Sequence, residues 1–156
     1  MFVNTQLFRT EALSFLKNGY YCPYPRGTAG YKDYWDEQTK RCIEGYEVGG
    51  VKITGLHYAY LNFAKIERVP EGAKKVNGKT RKVMSFPDFW DGDFEYFWEV
   101  EFAKNNHQHL IVAKSRRKGF SFKNAFMCAH QYNFERNSRA IIGAYIQDYA
   151  NNTMVS

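Results

Sequence analysis

Residues 109–146 follow an order that few folds accommodate. A compact apolar run, His109 to Ala113 (HLIVA), passes directly into the basic octet KSRRKGFS. The octet passes into FKNAFMCAHQYNF and then, after the polar FERNSR, into a second apolar run, AIIGAYI. Short apolar runs of this kind suit buried strands. Between them, Phe122, Ala125, Phe126 and Ala129 share one face at helical spacing. Strand, loop, helix and strand in this sequence make the βαβ unit of a parallel sheet. The expectation is therefore an α/β fold with a three-layer, parallel-sheet core on the C-terminal side.

The upstream residues read as mixed helices and hairpins. From Thr5 to Asn18 the residues Leu7, Phe8, Ala12, Phe15 and Leu16 form an apolar helical face, with Gly19 where a C-terminal cap belongs. A turn-rich stretch, YYCPYPRGTAG, leads to a second helix over Tyr31–Glu44, with Tyr31, Tyr34, Trp35 and Cys42 as its stripe and Gly45 closing it. Two β-prone runs, YEV and VKI, flank Gly49-Gly50, a hairpin signal because the tight turn needs positive φ. LHYAYLNF reads as a short helix leading into a strand in AKIERV. EGAKKVNGK and TRKVMSF read as a second hairpin with its tip at Asn77-Gly78 and a cluster of solvated lysines and arginines. A further helix spans roughly Asp91 to Lys104, with Phe94, Phe97, Trp98 and Phe102 as its stripe and Asp91, Asp93 and Glu95 favouring its N-terminal end.

Composition narrows the setting. The net charge is +6 and the pI about 9.2, a balance that favours phosphate-bearing partners. Three cysteines, Cys22, Cys42 and Cys128, have no C-x-x-C pair, so buried thiols in a reducing compartment are expected rather than a disulfide framework or a zinc site. No apolar run has membrane-spanning length and the N-terminal residues do not resemble a leader, so a soluble, intracellular protein is expected.

The octet Lys114–Ser121 carries the chemistry. The standard phosphate loop, G-x-x-x-x-G-K-[ST], lies between a strand and a helix. Gly119 and Ser121 occupy their places in that pattern, while Phe120 stands where the lysine belongs. The loop has to turn sharply, which Gly119 permits, and its amides and the helix N-terminus have to face the phosphates. Ser121 is placed to reach Mg²⁺ with its hydroxyl. The cation for the β and γ oxygens can come from Lys114 at the other end, with Arg116, Arg117 and Lys118 adding charge. A basic strand-to-helix turn on a solvated surface is the other reading of the same residues.

With its lysine at the loop start and an aromatic before the serine, KSRRKGFS resembles the variant phosphate loop of the large terminase subunits of tailed bacteriophages. GYEVGGVKITGLHYAYLNFAKI is similar to that family's segment before the ATPase core, and FPDFWDGDFEYFWEVEFA to the helix leading into its first strand. The resemblance covers about Tyr20 to Tyr145 and implies a partial P-loop NTPase core. Residues 1–85 would form an N-terminal α+β extension and residues 86–156 the start of the core.

It further implies ATP and Mg²⁺ as cofactors and a motor that drives double-stranded DNA into an empty capsid. The motor would act in the host cytoplasm, at the assembling procapsid, as a homo-oligomeric ring with the portal protein and the small terminase subunit. Carried over by position, Lys114 is the phosphate-binding lysine, Arg116 or Arg117 the arginine at the γ-phosphate, and Ser121 the Mg²⁺ hydroxyl. Gly119 supplies the turn, and Ser115, Lys118 and Phe120 contribute amides to the cradle. Phe86, Pro87 and Trp90 are candidates for contact with adenine.

The sequence departs from the family downstream. AIIGAYIQD does not end in the Asp-Glu pair of a catalytic strand, and the coupling motif and nuclease domain are not found. The expectation is an N-terminal piece that binds nucleotide weakly and does not turn it over alone, since phosphoryl transfer also needs a residue to orient the attacking water. A basic nucleic-acid-binding module without ATPase activity, a helicase-like phosphate-loop motor and a purely structural protein are the alternatives.

Overall fold

In the computed structural model, which describes residues 4–69, 72, 75–76, 79–115, 119–144, 147–148 and 151, helices dominate and the strands are short. A 3-10 turn over Thr5–Arg9 runs into α1 (Thr10–Asn18), followed by α2 (Ala29–Glu44), β1 (Tyr46–Val48), β2 (Val51–Ile53) and α3 (Gly55–Phe63). Then come β3 (Ile66–Arg68), β4 (Lys75–Val76), β5 (Lys79–Thr80), β6 (Val83–Ser85), α4 (Asp91–Asn105) and α5 (Phe120–Phe134). The expected helices and both hairpins are present. The Asn77-Gly78 tip lies outside the described residues.

The short helix α3 is the hub. Residues from Tyr58 to Asn62 are all buried, as is His57, so this helix has no solvent face. Thr54 caps it by accepting from the His57 amide at 3.2 Å. Gly55 is required by close approach: a Cβ there would lie 2.4 Å from the Cys42 carbonyl oxygen. Around α3 pack Phe8, Cys42 and Ile53 on one side and Phe97 and Phe126 on another. Tyr58 donates to Gln38 of α2 at 2.6 Å.

Asn62 shows how α3 organises its neighbours. Its side-chain amide nitrogen donates to the Phe8 carbonyl at 2.8 Å and to the Tyr58 carbonyl at 3.0 Å. Its oxygen accepts from the amides of Glu11 at 3.1 Å and Ala12 at 3.2 Å. Those two amides belong to the first turn of α1, whose own N-cap residue, Arg9, makes no side-chain capping bond. The cap of α1 is thus supplied from another helix, and every polar atom of the buried Asn62 amide group has a partner.

Local chemistry explains the other elements. Gly19 ends α1 in the left-handed region, its amide bonded to the Phe15 carbonyl. Gly49 and Gly50, at φ 59° and 77°, close the β1–β2 hairpin, whose register pairs Tyr46 with Ile53 and Val48 with Val51. β3 and β6 pair antiparallel, Ile66 opposite Ser85 and Arg68 opposite Val83. The helical faces are narrower than expected: Leu7, Leu16, Trp98 and Phe102 are exposed at the margins of their helices.

The parallel sheet is where expectation and structure part. Among the described residues all strand pairs are antiparallel, in three two-stranded sheets, so the architecture is mixed helix and strand. Residues 109–113 and 140–144 are not strands. Ile111 is 93% exposed and Ile141 94% exposed. The rest of the expected second strand, Tyr145 and Ile146, lies outside the described residues. Two parallel strands alone would gain few hydrogen bonds, and a parallel sheet is stable when helices cover both faces. Here α5 turns its inner face to α3 instead, with Phe126 and Phe134 packed on the core. Contacts also run freely across the boundary expected at residues 85 and 86. Phe8 stacks on Phe89 at 5.4 Å and His57 on Phe97 at 4.8 Å.

Candidate functional site

The head of α5 is a helix start entered through a left-handed glycine, with no strand in residues 109–113 before it. Gly119 sits at φ 70° and ψ 14°, the left-handed region that favours glycine, and accepts the first helical bond from the Lys123 amide at 3.2 Å. A Cβ at Gly119 would meet nothing within 4 Å, so it is the backbone angle and not crowding that calls for glycine. Gly119 has no side chain to cap the helix, so among the described residues the amides of its first turn are left open to an anion. Ser121 lies exposed on that turn.

Of the eight loop residues, five are placed. Lys114 and Ser115 are exposed, and the Lys114 ammonium lies 5.6 Å from the centroid of the Phe120 ring. Gly119, Phe120 and Ser121 form the turn and helix start. Arg116, Arg117 and Lys118 lie outside the described residues.

The helix start opens on a cleft of about 610 Å³, within the size range of small-ligand sites. Pro87 and Trp90 line it from the segment before α4, Gly119, Phe120 and Lys123 from α5, and Arg68 from β3. Two of the three adenine candidates are therefore at the site, with Trp90 65% exposed and its ring accessible for stacking. Phe86 is not. It is buried against Phe15 at 5.7 Å and Tyr21 at 6.4 Å, because it closes β6 onto α1 as a core residue.

The charges in the cleft are already matched. Asp88 holds two arginines, Arg9 at 2.8 Å and Arg68 at 2.6 Å. Arg68 also donates to the Phe86 carbonyl at 3.1 Å. Asp93 and Lys123 form a buried ion pair that joins the first turns of α4 and α5. The Lys123 ammonium also lies 4.5 Å from the Phe120 ring centroid and 5.8 Å from that of Tyr96. Next to this pair is His57, fully buried with neither ring nitrogen hydrogen-bonded. Burial, and then the charge of Lys123, push its pKa down to about 3, so it is neutral at physiological pH.

Asp88, Arg68, Asp93 and Lys123 were not evident as site residues in the sequence. Asp93 reads in the sequence as a helix-dipole residue; in the structure both it and Asp88 are committed to cations. The apolar spacing of the sequence puts the α5 face through Phe122, Ala125, Phe126 and Ala129, which leaves Lys123 off it. The face that turns inward runs through Lys123, Phe126, Met127, His130 and Phe134, and Ala129 is exposed. The spacing of Lys123 from Phe126 and His130 was the available signal. His130 contributes by donating from Nε2 to the Cys42 carbonyl at 2.8 Å. Cys42 is core, and burial pushes its thiol up to about 12, which makes it unreactive.

Among the described residues no group of three or more His, Cys, Asp or Glu side chains is arranged to hold a metal ion. A magnesium ion carried in by a nucleotide needs less from the protein, since phosphates and water supply most of its ligands. The Ser121 hydroxyl on an uncapped helix start fits that role. No helix among the described residues is long and apolar enough to cross a membrane. No protein-family model, curated protein or solved structure matches the chain.

Proposed function

We propose that this chain is the N-terminal portion of a DNA-packaging ATPase of the large terminase type, and that it binds Mg·ATP between the 114–121 loop and the Trp90 cleft. The observation that carries the reading is the left-handed Gly119 at the uncapped head of α5, opening on a cleft with an exposed tryptophan. The helix start offers amides to the phosphates, Lys114 offers the cation and Ser121 the hydroxyl for Mg²⁺. Arg116 or Arg117 neutralises charge at the γ-phosphate. Trp90 and Pro87 take the base. Bound Mg·ATP supplies the phosphoryl group whose transfer to water drives the motor; the chain's own residues bind and orient it.

In the complete motor these residues serve a ring that moves double-stranded DNA through the portal, with the small terminase subunit as partner. The runs at 109–113 and 140–146 then become neighbouring strands of a parallel sheet completed by further strands. The exposure of Ile111 and Ile141 supports this, because large apolar side chains are kept in water at a cost unless something covers them.

The test is calorimetric titration of Mg·ATP into the chain and into Lys114→Ala, with phosphate release followed alongside. Binding that weakens about tenfold or more in the variant, without turnover, is the expected result. Salt-dependent DNA binding by a chain indifferent to ATP and to Lys114→Ala would replace this reading with the basic nucleic-acid-binding module.

A further inference from the structure

We propose that Phe120 is a positioning residue whose ring seats the Lys114 ammonium at the mouth of the loop. The inference rests on the reading of residues 114–121 as a phosphate loop and assigns a role to its most unusual member. In the standard pattern the residue before the serine supplies the cation itself. Here that position holds an aromatic ring, and the cation comes from the far end of the loop. A lysine on an exposed segment samples many rotamers, and ordering it on ligand binding costs entropy. A fixed aromatic face reduces that cost by attracting the ammonium beforehand.

The ring is fixed from two sides. Tyr96 of α4 meets it edge-on at 4.9 Å between centroids. The Lys123 ammonium lies 4.5 Å from its centroid and is itself held by Asp93 in the buried ion pair. A second cation on one ring would ordinarily repel the first. The Asp93 carboxylate neutralises Lys123, so the ring remains attractive to the Lys114 ammonium, 5.6 Å from its centroid. Lys114 is the only one of these partners with an exposed side chain, so an arriving phosphate can reach its ammonium while it stays seated on the ring.

The experiment uses the full chain with lysine side chains labelled at Cε, and Lys114→Ala to assign the Lys114 signal. In the wild type, ring current displaces the Lys114 Hε resonances from the positions of a free lysine. Phe120→Leu should abolish that displacement and weaken Mg·ATP binding about two- to fivefold, the scale of an exposed cation–π contact. Phe120→Tyr should keep both the displacement and the affinity.

If Phe120→Leu leaves the Lys114 resonances where they were, the ring does not hold the lysine and the inference fails. If the resonances move but wild type and Phe120→Leu bind Mg·ATP equally, the contact exists without serving the ligand, and the inference fails while the nucleotide site stands. A displaced Lys114 signal in a wild type that does not bind Mg·ATP overturns the nucleotide site, and the positioning role with it.

Discussion

The surroundings of α3 and the two runs at 109–113 and 140–144 are comparably apolar in sequence and opposite in structure. Around α3, Phe8, Tyr58, Leu61 and Phe97 are almost wholly excluded from water, and Asn62 has all its hydrogen bonds made within the protein. In the two runs, Ile111 and Ile141 stand almost fully in solvent. The difference lies in partners more than in composition. A helix satisfies its own backbone and needs only side-chain cover, which neighbouring helices and hairpins provide here. A strand needs another strand beside it as well as cover on its faces.

The comparison is most open to challenge at the buried end. Phe97 packs against both His57 and Tyr60, the latter at 5.4 Å between ring centroids. Phe97→Ala should cost about 3–5 kcal/mol in denaturant unfolding. A loss under about 1 kcal/mol would mean that the α3 surroundings collapse easily and differ little from the exposed runs.

The next largest effect is one of pH. The folded protein holds His57 neutral with a pKa of about 3, whereas in the unfolded chain it titrates near its ordinary value of 6.5. As pH falls below 6.5 the unfolded chain takes up the proton first, so stability present above that pH is progressively lost down to about 3. Between pH 7 and pH 5 the loss should be about 2 kcal/mol. His57→Phe should remove most of this dependence. A slope of the same sign should remain from His130, whose pKa is also lowered, chiefly by burial. An unchanged slope in His57→Phe would show that His57 is not sealed in the core as described.

The smallest effects belong to the exposed runs. Ile111→Ser and Ile141→Ser should each change unfolding free energy by no more than about 0.5 kcal/mol. A larger destabilisation of either would show that its run is packed in solution and would remove the contrast.

What could be read from the sequence follows the same division. Elements set by local chemistry were legible: the Gly49-Gly50 hairpin, the Gly19 cap, the α2 stripe ending at buried Cys42, and the approximate spans of α4 and α5. Residues whose role depends on distant partners were not. Asn62 looks like an ordinary polar residue in an aromatic helix, and nothing local indicates that it caps α1. Asp93 fits a helix-dipole role so well that its pairing with Lys123 left no separate trace. At the candidate site the turn at Gly119 and the nearness of Trp90 and Pro87 were legible, whereas Phe86, in the same short segment, turned into the core. Periodicity alone could not decide the fate of HLIVA and AIIGAYI, because an apolar run states a need for cover and not where the cover comes from.

Asp88 has a consequence for how the protein is made. It ties Arg9 to Arg68, and the first of those bonds spans 79 positions of chain. Phe89, next to it, stacks on Phe8, and Phe97 covers His57. During synthesis the N-terminal helices therefore leave the ribosome well before the residues that seal them. At ordinary elongation rates the interval is on the order of ten seconds. Phe8 therefore waits longest for its cover, and the aromatic face of α3, which emerges later, waits a shorter time for α4.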